Sequence, residues 1–329
     1  MDKKNVAYLF PGQGAQYTGM ALDFLSSGSA AVKSLFDTAS EMCGKDMKAL
    51  LESDVETLKR TDVSQPVITL ANLAAAAFLG EQGYSPVACA GFSLGEYAAL
   101  ALTGVISVAD CFRLVKARGE AMQKTADRLR EAAGGDASAA PGMAAVVGLA
   151  PEKAEALIAE WSAAGLKDLY AANINSPKQV AVSGTASALT EAETRFKEAG
   201  ARRLLRLQVA GPFHSPLMDD SAQAFRPALE AVEFRDPVIP LYSNVTGKRV
   251  CSGAEAKKLA LLQITSPVRW VDEQAAIAAV GGFEACLEVG PGKVLQGLWR
   301  DSSSAGAEGQ IPCFLAGTVE DIGKIGANA

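Results

Sequence analysis

Ser93 stands in Gly91-Phe92-Ser93-Leu94-Gly95, between an apolar run at 87–90 and a Glu/Ala/Leu run that favours helix. A G-x-S-x-G segment between strand and helix can hold a serine on a strained turn, with its hydroxyl presented at a helix start. The flanking glycines leave room where strand and helix fold back on each other. The same five residues also read as an ordinary tight turn. A serine hydroxyl needs a base to attack anything at neutral pH, and an imidazole is the side chain best matched to that task. The chain has one histidine, His214, in Gly211-Pro212-Phe213-His214-Ser215-Pro216. A lone histidine is usually a satisfied structural residue, but if Ser93 is activated by imidazole, no other imidazole exists. Gln13, in the loop after the first apolar run, could supply a second oxyanion donor beside the Leu94 N–H. By spacing alone, this reading and a plain Pro-Gly-Gln-Gly turn stand level. Arg118, on a helix expected to pack beside the Ser93 turn, reads by itself as a solvated arginine. Gly290-Pro291-Gly292 reads as a turn rather than a phosphate cradle, and Asn173 and Asn175 as turn caps.

The elements that must position these residues follow from apolar runs and punctuation. Strands are expected at 6–10 and 87–90, each ending in a loop that carries a candidate. Between them, helices run through 20–24 and 30–60, broken near Gly44. A long Ala/Leu helix opens at Ser64-Gln65-Pro66, with proline just inside its start, and reaches Leu79. Ser107 caps a helix that contains Arg118. A small-residue stretch at 132–142 reads as a linker. Beyond it come strand 143–148, helix 151–164, strands 169–174 and 179–183, helix 187–199 and strand 203–209. That is the β-α-β-β-α-β order of ferredoxin-like units. It is expected to form a small domain, 142–209, inserted into a larger one made of 1–131 and 210–329. The larger part continues with a helix at 217–231, a strand at 238–242, a helix near 253–263, a strand at 286–289, a helix after Gly292 and an apolar run at 311–315.

The chain has 329 residues, 49% hydrophobic and 21% charged, which is globular composition. A net charge of −6 argues against a general nucleic-acid surface. Six scattered cysteines show no C-x-x-C spacing and support neither a zinc site nor a disulfide framework. The first residues carry too short an apolar run for a signal peptide, and no later run reads as long enough to span a membrane. A cytoplasmic protein is expected, with no nucleic-acid or membrane partner and as a monomer.

Taken together, Phe10-Pro-Gly-Gln-Gly-Ala-Gln16, Gly91-Phe-Ser-Leu-Gly-Glu-Tyr97, Arg118-Gly119, Asn175-Ser-Pro177, Pro212-Phe-His-Ser215, the stretch from Gln263 to Pro267-Val-Arg-Trp270, and Glu288-Val-Gly-Pro-Gly-Lys293 resemble the malonyl-CoA:acyl-carrier-protein transacylases. These are the loading enzymes of fatty acid synthesis. The resemblance runs from about residue 6 to 300, in order. It implies an α/β-hydrolase-like large domain with a parallel sheet and a ferredoxin-like insert. It implies that Ser93 becomes malonylated and that His214 is the base, held by backbone carbonyls rather than a carboxylate. Gln13 and the Leu94 N–H would form the oxyanion hole. Arg118 would pair with the free malonyl carboxylate, through two parallel hydrogen bonds that lysine cannot match. Gln263 would offer a backbone contact to the histidine, and Asn175 would lie near the cleft. Phe213 would crowd out an α-methyl branch. Phe92 stands where the family has histidine. No cofactor or metal is implied: malonyl-CoA is the substrate, and phosphopantetheine arrives on the partner, an acyl carrier protein. That partner is acidic in the family, which makes Lys116, Lys178, Arg202, Arg203 and Lys293 docking candidates.

Two other readings use the same serine turn. A serine esterase or thioesterase would place its histidine late and behind an acid, whereas the acids nearest His214 are Asp219 and Asp220. A carrier-protein docking module without activity would not need Ser93, His214, Gln13 and Arg118 together.

Overall fold

A computed structural model of the chain describes residues 4–136, 138–303 and 311–325. Position 137 of the expected linker and the small-residue tail at 326–329 lie outside the described residues. Among the described residues, ten strands form two sheets. The strands are β1 (Lys4–Phe10), β2 (Tyr84–Gly91), β3 (Gly142–Val147), β4 (Leu169–Ser176), β5 (Gln179–Gly184), β6 (Arg203–Arg206), β7 (Leu241–Tyr242), β8 (Arg249–Val250), β9 (Ala285–Glu288) and β10 (Cys313–Leu315). The larger sheet has the order β10-β9-β1-β2-β7-β8. It is parallel from β10 through β7, with β8 antiparallel at the edge. The smaller sheet, β4-β5-β3-β6, is antiparallel throughout.

From Val6 on, β1 is apolar because helices cover both faces of a parallel sheet; these last five residues are all buried. Its register sets Phe10 opposite Gly91. The loops that leave β1 and β2, carrying Gln13 and Ser93, therefore emerge side by side. The Phe92 N–H closes this junction by donating to the Phe10 carbonyl at 2.9 Å.

One long helix, Thr61–Glu81, lies almost wholly in the core. It starts three residues before the expected Ser64, and Pro66 falls inside it. The cause is a distant cap. The Thr61 N–H donates to Gln123 Oε1 at 2.8 Å, from the neighbouring Val108–Ala132 helix, so the start is fixed by tertiary contact rather than by local sequence. This helix is also long and apolar enough to cross a membrane, contrary to the sequence expectation, but 83% of its apolar stretch is buried inside the protein. It is a core helix, buried nearly all round, its polar Gln65 and Asn72 included.

The strand expected at 238–242 shrinks to Leu241–Tyr242. Pro237 and Pro240 have no N–H for a ladder. Val238 is 81% exposed, and the Pro240 carbonyl takes the Cys89 N–H at 2.8 Å. β6 likewise stops at Arg206 rather than 209. The helices at Trp270–Ala278 and Val319–Ile325 were not expected from the sequence pattern.

Behind the smaller sheet, Val146, Val180, Val182, Leu189 and Phe196 pack into their own core, with Trp161 edge-on to Phe196 at 4.7 Å. This unit is tied to the larger one by backbone. The Ile174 N–H donates to the Val268 carbonyl at 2.8 Å, and the Val268 N–H to the Ala172 carbonyl at 2.9 Å.

Candidate active site

Ser93 lies on the turn between β2 and the Gly95–Leu102 helix, with φ +51°. The flanking glycines are obligatory for a measurable reason. A Cβ on Gly91 would sit 2.0 Å from the Gly95 carbonyl carbon, and one on Gly95 would sit 2.0 Å from the Phe10 oxygen. Asn244, beyond β7, secures the turn. Its Oδ1 accepts the Ser93 N–H at 2.7 Å, and its Nδ2 donates to the Gly91 carbonyl at 2.7 Å.

His214 meets this serine, with Oγ to Nε2 at 2.7 Å. Its other ring nitrogen, Nδ1, lies 2.9 Å from the Gln263 carbonyl. A carbonyl only accepts, so Nδ1 carries the proton and the Nε2 lone pair faces Ser93. Burial, and then the Arg118 cation, push the imidazole down to about 4, against the opposing pull of backbone partners at Gln263 and Ser266. The ring is therefore neutral, and able to accept a proton, at neutral pH. Neither Asp219 nor Asp220 orients it; Asp220 is exposed and pairs with Arg128. The loop before the histidine is clamped instead. Ser183 Oγ on β5 donates to the Phe213 carbonyl at 2.5 Å, and Ser215 Oγ to the Pro212 carbonyl at 2.6 Å. Phe213 itself is 6% exposed.

Arg118 is not a solvated arginine. It is 1% exposed and reaches the nucleophile, with Nη2 at 3.5 Å from Ser93 Oγ. Nη1 donates to Gln65 Oε1 at 2.9 Å and Nη2 to Gln263 Oε1 at 3.1 Å. The guanidinium lies 5.4 Å from the Tyr97 ring centre, and Nε has no partner among the described residues. Burial lowers its pKa, opposed by Tyr97 and Glu96; a guanidinium remains charged nonetheless. A buried cation beside a nucleophile, held by neutral amides, suits an acyl group that ends in a carboxylate.

The Gly95, Glu96 and Tyr97 N–H groups are taken by the Phe92, Ser93 and Leu94 carbonyls. No acceptor among the described residues takes the Leu94 N–H, which leaves it free for an oxyanion. The Gln13 side chain donates to Thr61 Oγ1 at 3.3 Å, and its backbone N–H, taken by no acceptor among the described residues, is the candidate donor. The loops are close enough for that: a Cβ on Gly12 would lie 3.6 Å from the Leu94 nitrogen.

Gln263 does more than present its carbonyl. Its Nε2 donates to the Ser93 carbonyl at 3.0 Å and to Glu96 Oε2 at 2.8 Å. Asn175, near the end of β4, has no side-chain hydrogen bond to any of these groups among the described residues, and its Oδ1 is buried without a partner. Phe92 packs edge-on to the buried Trp270 at 5.4 Å. Of the basic candidates, Lys178, Arg202 and Arg203 gather at one end of the smaller sheet. There the Gly148 N–H bonds to the Lys178 carbonyl and the Arg202 N–H to Val147, each at 2.8 Å, and Arg203 pairs with Val147 in register. Lys116 lies on the Val108–Ala132 helix and Lys293 in the loop after β9.

Sequence reading missed Gln65, Glu96, Asn244 and Glu273. Only Glu96 carried a local signal, as the residue directly after the second glycine of the serine turn.

Residues 7–321 match the family model described as acyl transferase domain. The chain is 36% identical to the malonyl CoA-acyl carrier protein transacylase of Bacillus subtilis, over 89% of each chain. It is similar to the crystal structure of MCAT from Streptococcus pneumoniae, with TM-score 0.88 and 30% identity, covering 99% of this chain and 100% of that one. It is also similar to a malonyl-transacylase solved in complex with its type II PKS acyl-carrier protein, with TM-score 0.86 and 31% identity, covering 99% and 100%.

Proposed function

The chain belongs to the malonyl-CoA:acyl-carrier-protein transacylase family of acyl transferases, and from that premise we propose the following course for its reaction. Ser93 Oγ attacks the malonyl thioester carbonyl while His214 Nε2 takes the hydroxyl proton. The oxyanion is met by the Leu94 N–H and the backbone N–H of Gln13. Collapse breaks the C–S bond, and the departing CoA sulfur takes the proton from the imidazolium. Malonyl remains on Ser93 as an ester. In the second half, the phosphopantetheine thiol of an acyl carrier protein gives its proton to His214 and attacks that ester. Ser93 leaves and recovers the proton, and the malonyl thioester departs on the carrier.

Arg118 sets the acyl choice. A malonyl carboxylate pairs with it, whereas an acetyl group leaves a buried cation unmatched, a discrimination that sites with buried polar groups can make strongly. The observation that carries this reading is the guanidinium 3.5 Å from the nucleophile. A simple esterase has no use for it, and an esterase would also set a carboxylate, not the Gln263 carbonyl, on His214 Nδ1. Phe213 limits branching at the malonyl α-carbon, and Asn175, with its unpartnered Oδ1, lines the cleft.

We assign 1–131 and 210–329 to an α/β-hydrolase-like large domain and 142–209 to a ferredoxin-like one, on the strand orders described above. The protein works in the cytoplasm without a cofactor, and the Lys178, Arg202 and Arg203 cluster meets an acidic carrier. The test is transfer from malonyl-CoA to holo carrier protein, followed by mass. Malonyl on the carrier thiol is expected from wild type and not from Ser93→Ala. Carrier binding with no acyl adduct from any acyl-CoA would favour an inactive docking module instead.

A further inference from the structure

Glu96 belongs to the same cluster, and no step above uses it. It is 3% exposed, in the first turn of the Gly95–Leu102 helix. Its Oε2 accepts from Gln263 Nε2 at 2.8 Å and from the Asn244 backbone N–H at 3.0 Å. The nearby Ser243 hydroxyl also favours its charged form. Gln263 gives the same nitrogen to the Ser93 carbonyl at 3.0 Å and to Asn244 Oδ1 at 3.2 Å. With its nitrogen facing three acceptors, the amide has only its oxygen left for Arg118. The residue that orients Arg118 by its side chain, and His214 by its carbonyl, is thus itself oriented by Glu96.

The charges point the same way. A buried cation without a counter-ion is costly, and the side chains bonded to Arg118 are neutral: Gln65, Gln263 and Ser93. Glu96 lies one amide further. A second carboxylate, Glu273, shares Asn244 with it, accepting from Nδ2 at 2.8 Å. Burial and the Glu96 charge raise Glu273 well above the usual carboxylate range, and its Oε2 has no partner among the described residues. Of the two, Glu96, whose Oε2 accepts from Gln263 and from the Asn244 N–H, is the one placed to ionise.

We propose that Glu96 is a positioning residue, an ionised carboxylate that balances Arg118 across Gln263 and so keeps the guanidinium aimed at the acyl carboxylate. The inference rests on the malonyl-transfer reading. The groups facing Glu96 are Arg118 from the Val108–Ala132 helix, Glu273 with Asp272 behind it from the Trp270–Ala278 helix, Tyr97 on its own helix, and His214 beyond Arg118. Burial pushes Glu96 up to about 7, against the pull of its three donors and of Arg118. Malonyl loading should therefore rise with pH through about 7 as Glu96 ionises, and loading of a neutral acyl group should not.

The experiment measures kcat/KM for Ser93 acylation by malonyl-CoA and by acetyl-CoA, from about pH 5.5 to about pH 9, in wild type and in Glu96→Gln. Glutamine keeps the accepting oxygen and removes the charge. The variant should lose malonyl loading by on the order of tenfold, keep acetyl loading, and lose the rise near neutral pH. Equal loss of both acyl groups, or an unchanged pH profile, would overturn the proposal and make Glu96 a structural residue. Should the variant fail to fold, wild type alone decides: the rise must appear with malonyl-CoA and be absent with acetyl-CoA, and the same rise in both overturns it. A wild type that forms no malonyl-Ser93 sinks the underlying reading together with this inference. A wild-type adduct with an unaltered Glu96→Gln sinks the inference alone.

Discussion

Ser93 and His214, 121 positions apart, are both held in left-handed backbone, at φ +51° and +57°, and meet Oγ to Nε2 at 2.7 Å. Non-glycine residues in that region cost on the order of 1–3 kcal/mol each, and they persist only where their surroundings over-determine them. Asn244 does this for the serine turn, and Ser183 and Ser215 do it for the histidine loop. The pair is thus placed by three side chains that take no part in bond making.

The two members of the pair should fail differently. Ser93→Ala abolishes acylation, because no other hydroxyl occupies the turn. His214→Ala leaves the nucleophile without a base and should slow acylation by about 10²–10⁴-fold. Single-turnover rates with malonyl-CoA check both; a His214→Ala rate near wild type would remove the imidazole from the mechanism.

Arg118→Ala should lower kcat/KM for malonyl-CoA by about 2–5 kcal/mol, the usual scale for deleting one side of a buried charged pair. Acetyl transfer should hold or improve, since the unmatched cation is gone. Side-by-side assays with the two acyl-CoAs decide it, and an equal loss of both would make Arg118 structural.

A single histidine makes the pH behaviour directly readable. Folded His214 is held down to about 4, against 6.5 for an ordinary histidine. Between those values the unfolded chain binds a proton that the folded chain does not. The stability contributed by neutral His214 is complete above about 6.5 and is lost as pH falls toward 4. The one imidazole resonance in an NMR titration should therefore have a midpoint well below 6.5 and move up in Arg118→Ala. A midpoint at or above the ordinary value would contradict the burial argument.

Two glycines should respond in opposite ways to alanine. Gly95→Ala drives a methyl to 2.0 Å from the Phe10 oxygen, a rigid backbone contact, and should leave little soluble protein. Gly80→Ala, in the Thr61–Glu81 helix with nothing within 4 Å, should raise stability by about 0.5–1 kcal/mol. Thermal melts and soluble yield compare them.

The sequence shows the serine turn, the lone imidazole and the element order of the smaller sheet because each is local: two glycines at fixed spacing, one residue type, alternating apolar periods. It does not show what arrives from a distance. Nothing near Gln65 or Asn244 announces a side chain aimed at Arg118 or at the Ser93 N–H, and Arg118 by itself reads as surface. The start of the Thr61–Glu81 helix is hidden for the same reason, since its cap comes from Gln123. The proline effect runs the other way: Pro237 and Pro240 are visible, and they shorten a strand that apolar content alone extends. The role of Gln13 divides between the two levels. Its loop was expected beside the turn and lies there, while its side chain goes to Thr61.

The central claim is that Ser93 carries malonyl and hands it on. Wild-type protein mixed with malonyl-CoA and no acceptor should show, by intact mass and peptide mapping, a lasting malonyl adduct on Ser93 that discharges when holo carrier protein is added. Rapid release of free malonate with no adduct would contradict it and make the protein a thioesterase.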